Sequence, residues 1–187
     1  MIDLSQVSCC LITKDDVYPL EILQHINHFP FGEILILTHS DSPYRKYELF
    51  KKAKFDLIYY NDDDAICPIE KLRVMSDPTQ INIAMKPGHY EAYKNTRMTM
   101  GFGWGTIFPK SILESLKKYT DVWGEDDVLK REAERILTSL NYPQNRLVLP
   151  IIDLPSANAP DRLWRQPHHN SYAQIAEHRC TDILKII

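Results

Sequence analysis

The sequence predicts an α/β protein: a single domain in which a mostly parallel sheet is flanked by helices. Two observations carry this expectation. Over about the first sixty residues, apolar and β-branched runs alternate with segments of helical periodicity, the strand–helix–strand–helix–strand pattern of a parallel sheet covered on both faces. The length, 187 residues, corresponds to roughly one domain at ~150 residues each, with 44% hydrophobic and 25% charged residues, the ordinary balance of a compact chain.

The elements follow in order. Val7 to Thr13 is an apolar run that stops at Thr13-Lys14-Asp15-Asp16, a buried strand feeding a loop. Pro19 opens a helix in which Leu20, Ile22, Leu23 and Ile26 recur at three- and four-residue steps until Pro30. Phe31-Gly32 turns the chain into a second continuous apolar strand, Glu33 to Thr38, and Pro43 opens a second helix through Tyr44 to Lys54. Phe55 to Tyr60 is a third strand. In the second half, Arg97 to Phe108 reads as a strand or hairpin around Gly101-Phe102-Gly103-Trp104-Gly105. Ser111 to Tyr119 is a short helix, and Glu125 to Leu140 a longer one with Val128, Leu129, Ala133, Ile136, Leu137 and Leu140 on one stripe. Asn141 to Pro167, rich in Pro and Asn, reads as irregular, and a last amphipathic helix runs from Tyr172 to Ile186. No internal repeat is evident.

Composition excludes several classes of function. With 22 Lys and Arg against 25 Asp and Glu, the net charge of −3 gives no electrostatic case for nucleic acid or an anionic membrane surface. The longest apolar stretches fall far short of the ~18 to 20 residues of a membrane helix. With Asp3 and an early polar break at Thr13 to Asp16, the N-terminal sequence does not follow the basic-then-apolar plan of a secretion signal, and a cytoplasmic location is the expectation. Cys9, Cys10, Cys67 and Cys180 show no metal-binding spacing and read as reduced thiols.

The sharpest chemical feature is Asn61-Asp62-Asp63-Asp64, directly after the third strand. In extended geometry, side chains two residues apart share a side at ~6.5 Å, so Asp62 and Asp64 face one cation. Two carboxylates at that separation repel by ~2.5 kcal/mol at an effective dielectric of 20, a repulsion that a divalent ion relieves. Hard oxygen ligands favour magnesium or manganese over zinc. The alternative is a solvated acidic turn capping the helix that starts near Pro68. The carboxyl end of a strand in an open α/β sheet is where ligands bind, which favours the metal reading. A second acidic segment, Trp123-Gly124-Glu125-Asp126-Asp127, leads into the long helix. Its acids suit either proton abstraction from a hydroxyl or the capping and dipole complementation of a helix start. Between the two clusters, the glycines around Trp104 let a ligand approach the backbone beside an aromatic face; a tight hairpin with a core Trp is the alternative. Arg165, His168 and His169 follow in a Pro-containing segment as candidates for charge and metal ligation, or as exposed loop residues, and His178 reads as a surface residue.

Together, Tyr60-Asn61-Asp62-Asp63-Asp64 after a strand–helix–strand–helix–strand unit, and Trp123-Gly124-Glu125-Asp126-Asp127 before an amphipathic helix, resemble the glycosyltransferases of the GT-A fold. The first resembles their DxD motif, the second the acidic motif of glycosyltransferase family 2 and the WGEDD-type segment of galactosyltransferase-like enzymes. The resemblance implies a Rossmann-like, single-domain nucleotide-diphospho-sugar transferase, with residues 1–64 as the nucleotide-sugar half and residues 95–187 as the acceptor side. It implies a metal-dependent transfer of a hexose-like sugar from a nucleoside diphosphate, UDP-sugar favoured over GDP-sugar, to a hydroxyl on a glycan, protein or small molecule. Asp62, Asp64 and His169 or His168 become ligands of Mn2+ or Mg2+. Thr13, Asp16, Asp41, Asp62, Asp63 and Arg165 border the nucleotide, with Arg45 a weaker diphosphate contact. Gly103, Trp104, Gly105 and Glu125 line the sugar and acceptor, and Asp127, then Asp126, is the acceptor-side acid. The segment after the second strand, Thr38-His39-Ser40-Asp41-Ser42, departs from the acidic pattern of family 2. A homo-oligomer is compatible with this reading. Nucleotidyl transfer is an alternative, although Leu11-Ile12-Thr13-Lys14-Asp15-Asp16 lacks the glycines of its phosphate loop, and a non-catalytic sugar- or nucleotide-binding module is another.

Overall fold

A computed structural model describes residues 1–13, 15–39, 44–99, 101–158 and 169–186. The chain forms strands β1 (Val7–Ile12), β2 (Glu33–Leu37), β3 (Leu57–Asn61), β4 (Ala65–Ile66), β5 (Asn82–Met85), β6 (Thr106–Pro109), β7 (Asn145–Val148) and β8 (Ile152–Asp153). Its helices are α1 (Leu20–Ile26), α2 (Arg45–Lys52), α3 (Ile69–Met75), α4 (Pro87–Tyr93), α5 (Glu114–Trp123), α6 (Asp127–Leu140) and α7 (His169–Ile186). Six strands make one mixed sheet in the order β2-β1-β3-β6-β5-β7. β1 is parallel to both β2 and β3, and β5 to β7; β6 alone runs the other way, antiparallel to β3 and β5. β4 and β8 form a separate antiparallel pair. The α/β class, the mostly parallel sheet and the helical flanks are as the sequence indicated.

Period-two alternation sorts the core into two layers, because neighbouring residues of a strand point to opposite faces. Cys10, Ile58, Tyr60 and Phe108 pack with Tyr47 and Phe50 of α2, with α5 and α6, and with Ala176 and Cys180 of α7. Cys9, Tyr59 and Ile107 face the other way, against Ile22 and Ile26 of α1 and Ile69 and Leu72 of α3. All four cysteines are free and buried, and burial pushes their thiols up, Cys180 to about 11, which makes them inert.

Three expectations need correction. β2 is not continuously buried: it is an edge strand, and Ile34 and Ile36 are 40% and 44% exposed on one face. The Gly-rich segment is not itself a hairpin. Phe102–Trp104 makes a 3-10 turn, and the following β6 is the central antiparallel strand. The region from Asn141 is more regular than its Pro and Asn content suggests, since β7 pairs with β5 and β8 with β4. These short strands owe their existence to tertiary pairing, which local propensity does not register. No helix among the described residues is long and apolar enough to cross a membrane.

Candidate functional site

The parallel strands β1, β2 and β3 deliver Thr13, His39 and the aspartate turn to one sheet edge. Leaving β1, Thr13 donates its backbone N–H to Leu37 O at 2.9 Å and its hydroxyl to Asp63 Oδ2 at 2.7 Å. Asp15 N–H in turn donates to Thr13 Oγ1 at 3.1 Å. After β2, His39 takes a left-handed conformation (φ 53°), and its Nδ1 lies 3.1 Å from Asp16 Oδ1 in an exposed pair. Thr13, Asp16 and Asp63 are thus neighbours of one edge. Asp41, Arg165 and His168 lie outside the described residues.

β3 ends at Asn61, and the chain turns there instead of continuing extended, so the side-by-side geometry expected for Asp62 and Asp64 is replaced by a tight turn. Asn61 builds it: its buried amide donates to Asp62 O at 2.6 Å and Ala65 O at 2.8 Å, and its Oδ1 accepts from Tyr59 Oη at 3.0 Å. Tyr18 Oη donates to Asp62 O at 2.7 Å. On the far side, Leu154 N–H donates to Asp64 O at 2.8 Å and Ser156 Oγ to Asp63 O at 3.1 Å.

Asp62 faces inward. Its N–H donates to Gly103 O at 2.7 Å, its Oδ1 accepts from Tyr60 Oη, and Oδ2 sits where a Cβ on residue 103 would project. Gly103 is required here for close approach, not for a strained dihedral. The Lys46 ammonium stands 3.9 Å from Asp62 Oδ1, ion-pairs with Glu134 of α6, and lies 4.8 Å from the centre of the Tyr60 ring. Lys46 is only 3% exposed. Burial alone would favour the neutral amine, yet Glu134 and Asp62 together hold its pKa above the ordinary value. Burial raises the Asp62 carboxyl, Lys46 pulls it back and Glu134 pushes it further up.

This arrangement does not fit a divalent ion on Asp62. An ion there would meet the Lys46 ammonium, a like charge already holding the carboxylate, while the Asp63 carboxylate is taken up by Thr13. His169 does not join the aspartates either. It begins α7, with Nδ1 3.1 Å from Glu132 Oε1 and Nε2 3.3 Å from Arg135 Nη2. Glu132, at a kink in α6 (φ −116°), is raised by burial to about 7. Among the described residues, no group of three His, Cys, Asp or Glu side chains is arranged to hold a metal.

The remaining site residues divide. Gly105 has φ 109°, and a Cβ there would strike Cys67. Trp104 is half-buried, with the Lys86 ammonium 4.4 Å and the His89 ring 4.5 Å from its centre, and Lys86 pairs with Asp153 of β8. Asp126 plays a structural part as the N-cap of α6, accepting from Leu129 N–H at 3.0 Å, and it ion-pairs with Arg179 of α7. Despite its partial burial, Arg179 and the helix amides hold its pKa below the ordinary value. Asp127 is exposed in the first turn, and Glu125 is exposed beside α2. Asp127 precedes Glu134 by seven residues, ~10 Å along the helix axis.

Four residues of the site, Lys46, Glu134, Tyr60 and Tyr18, are not singled out by the sequence. Lys46 left a signal, since it precedes Leu49 and Phe50 by three and four residues and so stands on the buried stripe of α2. Glu134 left none, because only the packing of α6 brings it to Lys46. In comparisons with known proteins, no family model and no curated sequence matches the chain.

Proposed function

We propose that the chain is a sugar-nucleotide transferase of GT-A architecture that transfers a sugar from a nucleoside diphosphate to a hydroxyl. The observation that carries this reading is the acidic turn Asp62 to Asp64 at the C-terminal end of β3, in a sheet whose order places Thr13, Asp16 and His39 beside it. Ligands of open α/β sheets bind at that edge. In this scheme Thr13, Asp16 and Asp63 border the nucleotide, together with Asp41 and Arg165. Trp104, half-buried, offers its aromatic face to the sugar, since the open sides of Gly103 and Gly105 are filled by Asp62 and Cys67, and Glu125 borders the acceptor. The acceptor hydroxyl attacks the anomeric carbon; the new C–O bond forms as the bond to the diphosphate oxygen breaks. Asp127, exposed at the start of α6, is the carboxylate that takes the hydroxyl proton as general base, while Asp126 positions the helix. The Mn2+ or Mg2+ that the resemblance implies does not find its ligands on Asp62 and His169, and no step is assigned to it.

A non-catalytic nucleotide- or sugar-binding module of the same fold is the second reading, favoured by the internal engagement of Asp62 with Lys46, Tyr60 and Gly103. Incubation with labelled UDP- and GDP-sugars separates the two. Turnover of the donor, by transfer or by slow hydrolysis, is expected for the transferase; binding with no turnover leaves the module. Release of pyrophosphate from nucleoside triphosphates, with no sugar nucleotide consumed, would overturn both in favour of nucleotidyl transfer.

A further inference from the structure

A concavity lies between α2 and α5. It encloses about 360 Å³, within the range of small-molecule sites. Its apolar wall is Tyr44, Tyr47, Leu113 and Leu116, with the two tyrosine rings 5.7 Å apart. Its rim carries Lys51, Lys110 and Lys117, which outnumber Glu114 and Glu125 in a chain that is acidic overall. Lys110 spends one proton on Ala53 O at 2.9 Å, which fixes its ammonium and leaves two N–H groups for another partner. Lys117 also pairs with Asp121, one turn further along α5. Tyr47 is 1% exposed, and its hydroxyl has no hydrogen-bond partner among the described residues, a costly condition for a buried polar group unless something else supplies one. The same hydroxyl feels the charges of Glu134 and Asp62, so Tyr47 is common to this cavity and to the acidic cluster.

We propose that this cavity binds a small amphipathic anion, a phosphate or carboxylate carried on an apolar body, with the anion on the lysines and the body against Tyr44, Tyr47, Leu113 and Leu116. Resting on the transferase reading, this molecule is the acceptor and also carries the hydroxyl that receives the sugar: Glu125, from the acidic segment before α6, lines the cavity. Apolar wall and cationic rim together set the specificity, because lysines lay their stems along apolar surface and keep their charge outward.

The test is calorimetric titration of the full chain with four probes. Phenyl phosphate carries both features, benzoate replaces the phosphate by a carboxylate, phenyl glucoside keeps the body without charge, and inorganic phosphate keeps the charge without the body. Phenyl phosphate, benzoate or both are expected to bind at least tenfold more tightly than phenyl glucoside and inorganic phosphate, and the stronger of the two identifies the anion. The double variant Lys51→Glu/Lys117→Glu, altered at two exposed positions and checked for native circular dichroism, is expected to lose at least tenfold of that affinity. Equal binding of phenyl glucoside, no binding of either aryl anion, or an unchanged affinity in the double variant overturns the proposal. UDP titrated in parallel keeps the two readings apart. Aryl-anion binding without any nucleotide binding leaves the cavity and removes the transferase, whereas nucleotide binding without aryl-anion binding does the reverse.

Discussion

Replacing Lys46 by Met tests whether the interior of the site is held by charge. The Lys46 ammonium is buried between Glu134, Asp62 and the Tyr60 ring, and the methionine stem fills most of its volume while removing the cation. Two carboxylates then face each other without a counter-charge. Breaking a buried pair from one side costs ~3–5 kcal/mol, whereas replacing the whole set by neutral groups is close to neutral. For a domain of 187 residues, at ~2–4 °C per kcal/mol, Lys46→Met should lower the melting temperature by roughly 6–20 °C. The triple variant Lys46→Met/Glu134→Gln/Asp62→Asn should recover most of that loss. Urea and thermal denaturation measure both. A loss below about 1 kcal/mol in the single variant, or a triple variant less stable than the single one, would refute the reasoning, since an uncompensated pair could then not be what the lysine prevents.

Gly103→Ala places a methyl against the Asp62 carboxylate and should cost ~1–3 kcal/mol by overpacking, read from denaturant midpoints. A neutral outcome would mean that Asp62 is free to move aside. The two neighbouring acids should separate by role. Asp126→Ala loses the α6 cap, ~0.5–2 kcal/mol, and also the Arg179 partner, whereas Asp127→Asn should leave stability within ~0.5 kcal/mol and donor binding intact while transfer is lost. Glu132 gives a pH signature. Its folded pKa, about 7, lies above the ordinary 4.5, so the protonated acid is the form the fold favours; the stability it confers is present below 4.5 and lost as pH rises through 7. Melting curves at pH 5 to 8 should show that loss in the native chain and a flatter profile in Glu132→Gln, and identical profiles would count against it.

The first half of the fold was legible because β1, α1, β2, α2 and β3 announce themselves through long periodic segments. The sheet edge carrying Thr13, Asp16 and Asp63 was legible for the same reason, since parallel strands must deliver their loops to one side. β5, β7 and β8 are two to four residues long and exist through pairing with each other's neighbours, which no local pattern encodes. Acidic residues that stand out in the sequence still differ in what they face. Asp62 turns inward because Gly103 and Lys46 meet it there, and neither contact follows from the spacing of the aspartates. Asp126 and Asp127 are adjacent in sequence, yet one caps and pairs while the other is exposed, a difference set by where Arg179 of α7 arrives.

Whether this edge of the sheet binds a nucleoside diphosphate is decided most directly by thermal unfolding with UDP or GDP, in the native chain and in Asp16→Ala, altered at an exposed position of that edge. Ligand at 100-fold its dissociation constant should stabilise the native chain by ~2.7 kcal/mol, a rise of roughly 5–10 °C, and the rise should vanish in the variant. No rise with either nucleotide, or the same rise in Asp16→Ala, would contradict the assignment of this edge as the donor site.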